Sequence, residues 1–157
     1  MDDKSKRRGG FSLLELVIVV VIIGVIAAIA IPRMSRGSAG AADAALSGNL
    51  AVLRNGIDMY AAEHGGTFPA AGTIANQLTL YSSTTGATNA TSTTTYIYGP
   101  YVRKVPALPV GAKKGKTGIA AASGDDVGWI YTAASGTIKA NCTDSEVDAA
   151  GTKYNEY

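Results

Sequence analysis

The sequence predicts an α+β fold: one long N-terminal α-helix, membrane-spanning in its first half, packed on a small antiparallel β-sheet head. Three observations predict it. Between Phe11 and Ile31 only Ser12, Glu15 and Gly24 interrupt a run of 18 apolar residues. Beyond Pro32, the residues Leu46, Leu50, Leu53, Ile57 and Tyr60 fall at intervals of four, three, four and three, which is one helix face. Near the C-terminus, Gly128–Thr132 and Thr137–Asn141 are β-prone runs joined around Ser135-Gly136, the pattern of a hairpin.

Composition bounds the function. The chain has 157 residues, 14 Lys+Arg, 12 Asp+Glu, one His and one Cys, room for a single domain or a small domain with an anchor. One Cys excludes an intrachain disulfide and a Cys-rich zinc site. One His leaves little scope for a His-based triad or a multi-His metal centre. A net charge of +2 argues against a dedicated nucleic-acid binder. The excess charge is also localised: Lys4, Lys6, Arg7 and Arg8 face only Asp2 and Asp3, and everything from Phe11 onward is neutral in sum. Such a basic flank keeps the N-terminus cytoplasmic by the positive-inside rule.

Residues 11–31, as a helix, would span about 32 Å at 1.5 Å per residue, matching a hydrocarbon core of roughly 30 Å. A cleaved secretory signal has a shorter apolar region, although Ala28 and Ala30 fit its cleavage pattern loosely. A core helix of this length would need a partner domain. The membrane helix is the reading kept. Glu15 is its informative residue, because a carboxylate in the span costs several kcal/mol unless paired or near the interface. It either snorkels to the headgroups or meets a cation, and the stretch contains no Lys or Arg. Cleavage after Gly9-Gly10 would supply one: a free α-amine on Phe11, created as the basic leader is removed.

Residues 6–32, Lys-Arg-Arg-Gly-Gly-Phe-Ser-Leu-Leu-Glu-Leu followed by the apolar run to Ile31-Pro32, resemble the N-terminal segment of type IV prepilins and type II secretion pseudopilins. The resemblance implies a pilin-like fold and cutting between Gly10 and Phe11 by an inner-membrane prepilin peptidase. It further implies N-methylation of Phe11 and pairing of Glu15 with a neighbouring subunit's amine during assembly. The chain then divides into a leader (1–10), a transmembrane half-helix (11–31), an amphipathic half-helix (32–64) and a globular head (65–157).

Pro32 should end or kink a helix, yet the apolar stripe resumes after it, with Arg54, Asp58 and Glu63 on the polar face. His64-Gly65-Gly66 supplies the stop. Fully helical, residues 11–63 would reach roughly 80 Å. Gly37, Gly40, Gly48 and Gly56 each weaken the helix by about 1 kcal/mol against Ala. A marginal helix held by packing and a special role for Gly48 and Gly56 both remain open. Between Gly24 and Gly40 the resemblance implies partial unwinding on entry into a filament. Arg33 and Arg36 mark the periplasmic membrane boundary.

In the head, Ile74–Leu80 is expected to form a short helix, and the hydroxyl-rich Ser82–Thr95 an exposed connection. Asn89-Ala90-Thr91 and Asn141-Cys142-Thr143 match the glycosylation pattern. Tyr96–Val105 reads as β-prone and ends in Pro106-Ala107-Leu108-Pro109. Lys113, Lys114 and Lys116 lie among glycines as a solvated loop, without a phosphate-binding motif.

Gly99-Pro100-Tyr101-Val102-Arg103-Lys104-Val105-Pro106 and the Gly-Trp-Ile-Tyr hairpin also resemble the globular part of the major pseudopilins. The family's Asp-Pro-Trp-Gly is replaced here by Ala-Leu-Pro-Val-Gly, which leaves pilus and secretion pseudopilus both open. Major pseudopilins bind calcium in a C-terminal loop. Asp125, Asp126, Asp144, Glu146 and Asp148 carry hard oxygens of the right kind, though their spacing matches no dedicated loop and a solvated surface is the competing reading. No other cofactor or metal is expected. Cys142 is expected to be a buried thiol.

The expectation is a non-enzymatic filament subunit: a single-pass inner-membrane protein, cytoplasmic at its N-terminus, with a periplasmic head. Its expected partners are copies of itself, the prepilin peptidase, an assembly ATPase, an inner-membrane platform protein and an outer-membrane secretin, with no nucleic acid. The alternative is a monomeric membrane-anchored periplasmic binding module.

Overall fold

A computed structural model describes residues 11–157, and of residues 31–37 the backbone alone. The described chain opens with α1 (Leu13–Glu63), 51 residues long, followed by α2 (Ile74–Thr79). β1 (Tyr81–Ser82) and β2 (Thr88–Asn89) form a two-stranded sheet. β3 (Gly118–Ala120), β4 (Val127–Thr132) and β5 (Thr137–Ala140) form a second sheet in chain order, and Tyr154–Glu156 closes the chain as a 3₁₀ turn. The class is α+β, as expected. Two compact units result, Met1–Ser38 and Ala39–Tyr157, with the boundary inside α1.

The described part of the first unit is helical from Leu13, and neither Gly24 nor Pro32 breaks its backbone. Its large side chains find no protein around them. Leu13–Ala30 is an 18-residue apolar stretch with none of it buried, long enough to cross a membrane.

The second unit is organised by the stripe read from the sequence. Leu46, Leu50, Leu53, Ile57 and Tyr60 are all buried, against a core that includes Leu78, Val102, Leu108, Trp129, Tyr131 and Ile138. At Gly56 α1 packs tightly on the rest of the head: a Cβ there would lie 3.1 Å from Val102 Cγ1, whereas one at Gly48 would meet nothing within 4 Å. The special role therefore belongs to Gly56. α1 ends as predicted, with Gly65 and Gly66 at φ 64° and 85° and the Gly66 N–H donating to Ala61 O at 2.8 Å.

The predicted hairpin is present, with Trp129 opposite Ala140 and Thr132 opposite Thr137 in antiparallel register. Gly136 turns it at φ 68°, and any Cβ there would strike the Phe68 ring at 2.5 Å. One pairing departs from the antiparallel expectation: β3 runs parallel to β4, Ile119 opposite Trp129. A short connection suffices because β3 has only three residues, so the chain has roughly 10 Å to travel back.

Two loop expectations are corrected. Ser82 and Ser83 are buried rather than exposed, because β1 pairs with β2 and Ser82 also bridges Tyr98. Serine is small enough for the core once its polar atoms are satisfied; the exposed positions of the connection are Thr84, Thr85, Ala87 and Ala90–Thr95. Tyr96–Val105 forms no strand beyond that single bridge. Pro100 lacks an N–H, and the Tyr101 and Val102 N–H groups both donate to Leu78 O, at 2.9 and 3.0 Å. The segment caps the end of α2 instead of extending a sheet.

Candidate processing and assembly segment

Of the two sequence-predicted processing residues, Phe11 lies at the entrance to α1. Gly10 falls outside the described residues. Phe11 is 84% exposed just ahead of the first helical turn. A helix start leaves its first N–H groups without backbone acceptors, and here two side chains serve them. Ser12 Oγ accepts the Leu14 N–H at 3.2 Å, while Glu15 Oε2 accepts the Ser12 N–H at 2.8 Å. Together they form a capping box, with the carboxylate at the helix end that favours negative charge.

This gives Glu15 a partner within its own chain, which neither reading of the sequence had considered. The signal was present: Ser12-Leu13-Leu14-Glu15 is the S-x-x-E pattern directly before an apolar run. Pro32 sits inside a continuous helical backbone, where its missing N–H withholds one interior hydrogen bond.

The five carboxylates singled out in the head do not form one cluster. Asp125 faces Lys113 at 3.6 Å and Asp126 faces Lys116 at 2.7 Å, so two of the three loop lysines are ion-paired. Lys116 holds the Asp126 carboxyl below the usual carboxylate range. Asp144 accepts from Asn155 Nδ2 at 2.8 Å and Lys153 Nζ at 3.0 Å. Glu146 accepts the Thr143 N–H at 2.7 Å and also the Ala112 N–H. Asp148 accepts the Tyr157 hydroxyl and the Ala150 and Thr152 N–H groups. Among the described residues no three His, Cys, Asp or Glu side chains gather to hold a metal.

Cys142 is half-buried and free. Burial, with the Glu146 carboxylate second, pushes its thiol up to about 11, so it stays protonated at neutral pH. Asn141 is 9% exposed and its amide nitrogen donates to Val127 O at 2.7 Å, so the folded head does not present it for glycosylation. Asn89, in the other pattern, is half-buried and accepts from Thr91.

An exposed apolar helix long enough to cross a membrane, opened by a Ser–Glu capping box, is followed by a small α+β head. Residues 5–31 match the family model of the prokaryotic N-terminal methylation motif. The matched stretch is the prepilin-type cleavage and methylation segment, the kind of N-terminal segment that prepilin peptidase processes. No curated protein and no solved structure matches the chain.

Proposed function

We propose that this chain is a structural subunit of a type IV pilus-like or type II secretion pseudopilus filament, cut between Gly10 and Phe11 and methylated on the new Phe11 amine. The observation that carries this reading is the combination in one segment of the methylation motif and an unburied apolar helix from Leu13 to Ala30. The helix stores the subunit in the inner membrane as a single-pass anchor, with the basic leader on the cytoplasmic side. On assembly, apolar burial between helices of adjacent subunits drives association. Glu15 exchanges its Ser12 N–H for the Phe11 amine of a neighbour, and two charges that are each costly in lipid offset one another. That pairing sets register. The helices form the filament core and the heads its surface.

An assembly ATPase, a platform protein and an outer-membrane secretin supply the work and the exit route; the chain itself catalyses nothing. Intact-mass and N-terminal analysis of protein from its native membrane tests the reading. A chain beginning at N-methylated Phe11 is expected, and Glu15→Ala should then abolish filaments while leaving the cut intact. An uncut chain in cells with active prepilin peptidase overturns the reading in favour of a monomeric membrane-anchored binding module.

A further inference from the structure

Major pseudopilins, which the head resembles, hold calcium in a C-terminal loop, and the donor set here tests whether this chain fits such an ion. Calcium takes six to eight oxygens from a converging set. In the segment from Cys142 to Tyr157 the carboxylates are turned to donors of the protein's own. Glu146 is engaged by the Thr143 and Ala112 N–H groups, and Asp148 by Ala150, Thr152 and Tyr157. The remaining pair shares a cation already: Lys153 Nζ lies 3.0 Å from Asp144 Oδ2 and 3.2 Å from Glu156 Oε1. The residues do not fit a calcium site.

We propose that the C-terminal segment is a calcium-independent clasp, in which the Lys153 ammonium does the charge-neutralising work that a divalent cation does elsewhere. The lysine is well placed for it. Its backbone is fixed in an antiparallel bridge opposite Val147, and the next residue's N–H donates to Glu146 O at 3.1 Å. The clasp closes on the amphipathic half of α1. Tyr154 Oη donates to Asp43 Oδ1 at 2.9 Å, and Arg54 Nη2 donates to Tyr157 O at 2.5 Å. The chain end is thus held by side-chain and backbone donors throughout. This inference concerns the head alone and does not depend on filament assembly.

Hydrogen exchange of the full chain in detergent, read by mass spectrometry over residues 143–157, tests it. Exchange should be the same in EDTA and in about 10 mM calcium chloride, roughly tenfold above the Kd of even weak extracellular calcium sites. Lys153→Met should exchange several-fold faster there, and Lys153→Arg should keep the protection. Trp129 emission reports whether the core has survived. Should Lys153→Met not fold, the paired change of Asp144→Asn with Glu156→Gln removes the same bridges from the anionic side and should give the same acceleration. Calcium-slowed exchange in the unsubstituted chain overturns the proposal, as does unchanged exchange once the bridges are gone.

Discussion

Two stretches of α1 carry large apolar side chains into opposite surroundings. From Leu13 to Ile29 the large side chains are exposed, Ile22 at 52% and Ile26 at 60%. From Leu46 to Tyr60 the stripe of Leu46, Leu50, Leu53, Ile57 and Tyr60 is buried at 3% exposure or less, while Val52 and Met59 face outward. The sequence pattern differs accordingly. The first stretch is apolar all round, with no side reserved for water, as a helix in lipid requires. The second alternates with Arg54, Asp58 and Glu63, as a helix lying between core and water requires. Hydrophobicity alone does not set burial within a chain; the angular distribution of apolar residues says which solvent completes the helix.

The sharpest way to break this comparison is to make equivalent changes in both stretches and read the head. Trp129 is the sole tryptophan and fully buried, so its fluorescence during denaturant unfolding reports the head alone. Leu50→Ala should cost the head about 2–5 kcal/mol, and Ile22→Ala should leave its unfolding unchanged. Conversely, Ile22→Lys should cost membrane insertion about 2.5–3.5 kcal/mol and deplete the chain from the membrane fraction, with the Trp129 transition still in place. A head destabilised by Ile22→Lys would contradict the separation of the two roles.

That separation was legible early because helical and membrane patterns are written in long runs. The span, the stripe from Leu46 to Tyr60, the stop at Gly65-Gly66 and the hairpin of β4 and β5 could all be read. What escaped depends on contacts distant in sequence. Ser82 and Ser83 look like loop residues, and only their pairing with Tyr98 and Ala87 admits them to the interior. Tyr96–Val105 has β-prone side chains, but the Leu78 carbonyl takes the N–H groups that a strand would offer. In the processing segment the residue types were plain, while the Ser12–Glu15 box was missed although its four-residue pattern was complete. The acidic residues of the head illustrate the converse limit. Their chemistry suited calcium, and only their geometry shows that lysines, amides and a tyrosine had engaged them.

A subtler comparison lies within the amphipathic half of α1, between its two interior glycines. Gly48→Ala puts a methyl group into open space and should stabilise the head by about 1 kcal/mol through helix propensity. Gly56→Ala gains the same propensity but brings its methyl to 3.1 Å from Val102 Cγ1. Close packing resists such insertion, so the gain should shrink or reverse. Denaturant midpoints of the two variants measure the difference directly. Equal stabilisation at both positions would remove the argument that close approach selects glycine at position 56.

The smallest effect expected is a pH dependence confined to the head's C-terminal clasp. The Thr143 and Ala112 N–H groups hold the Glu146 carboxyl below the usual carboxylate range. The Tyr157 hydroxyl and the Thr152 N–H do the same for Asp148, and Asn155 with Lys153 for Asp144. Because the folded carboxyls are depressed, the folded state binds fewer protons than the unfolded chain, whose acids titrate at about 4. The stabilisation is therefore complete above that range and is lost as pH falls through the lower folded values. The Trp129 melting midpoint should hold level from pH 7 to about 5 and decline below about 4.5. Glu146→Gln removes one such carboxylate while keeping a similar shape. It should lower the midpoint at pH 7 and flatten the acid decline, with the two curves converging only as pH falls below the depressed folded value, where Glu146 is protonated in both states. Curves that stay parallel from pH 7 to 3 would mean that the charge of Glu146 does not contribute, leaving only its shape to hold Thr143 and Ala112.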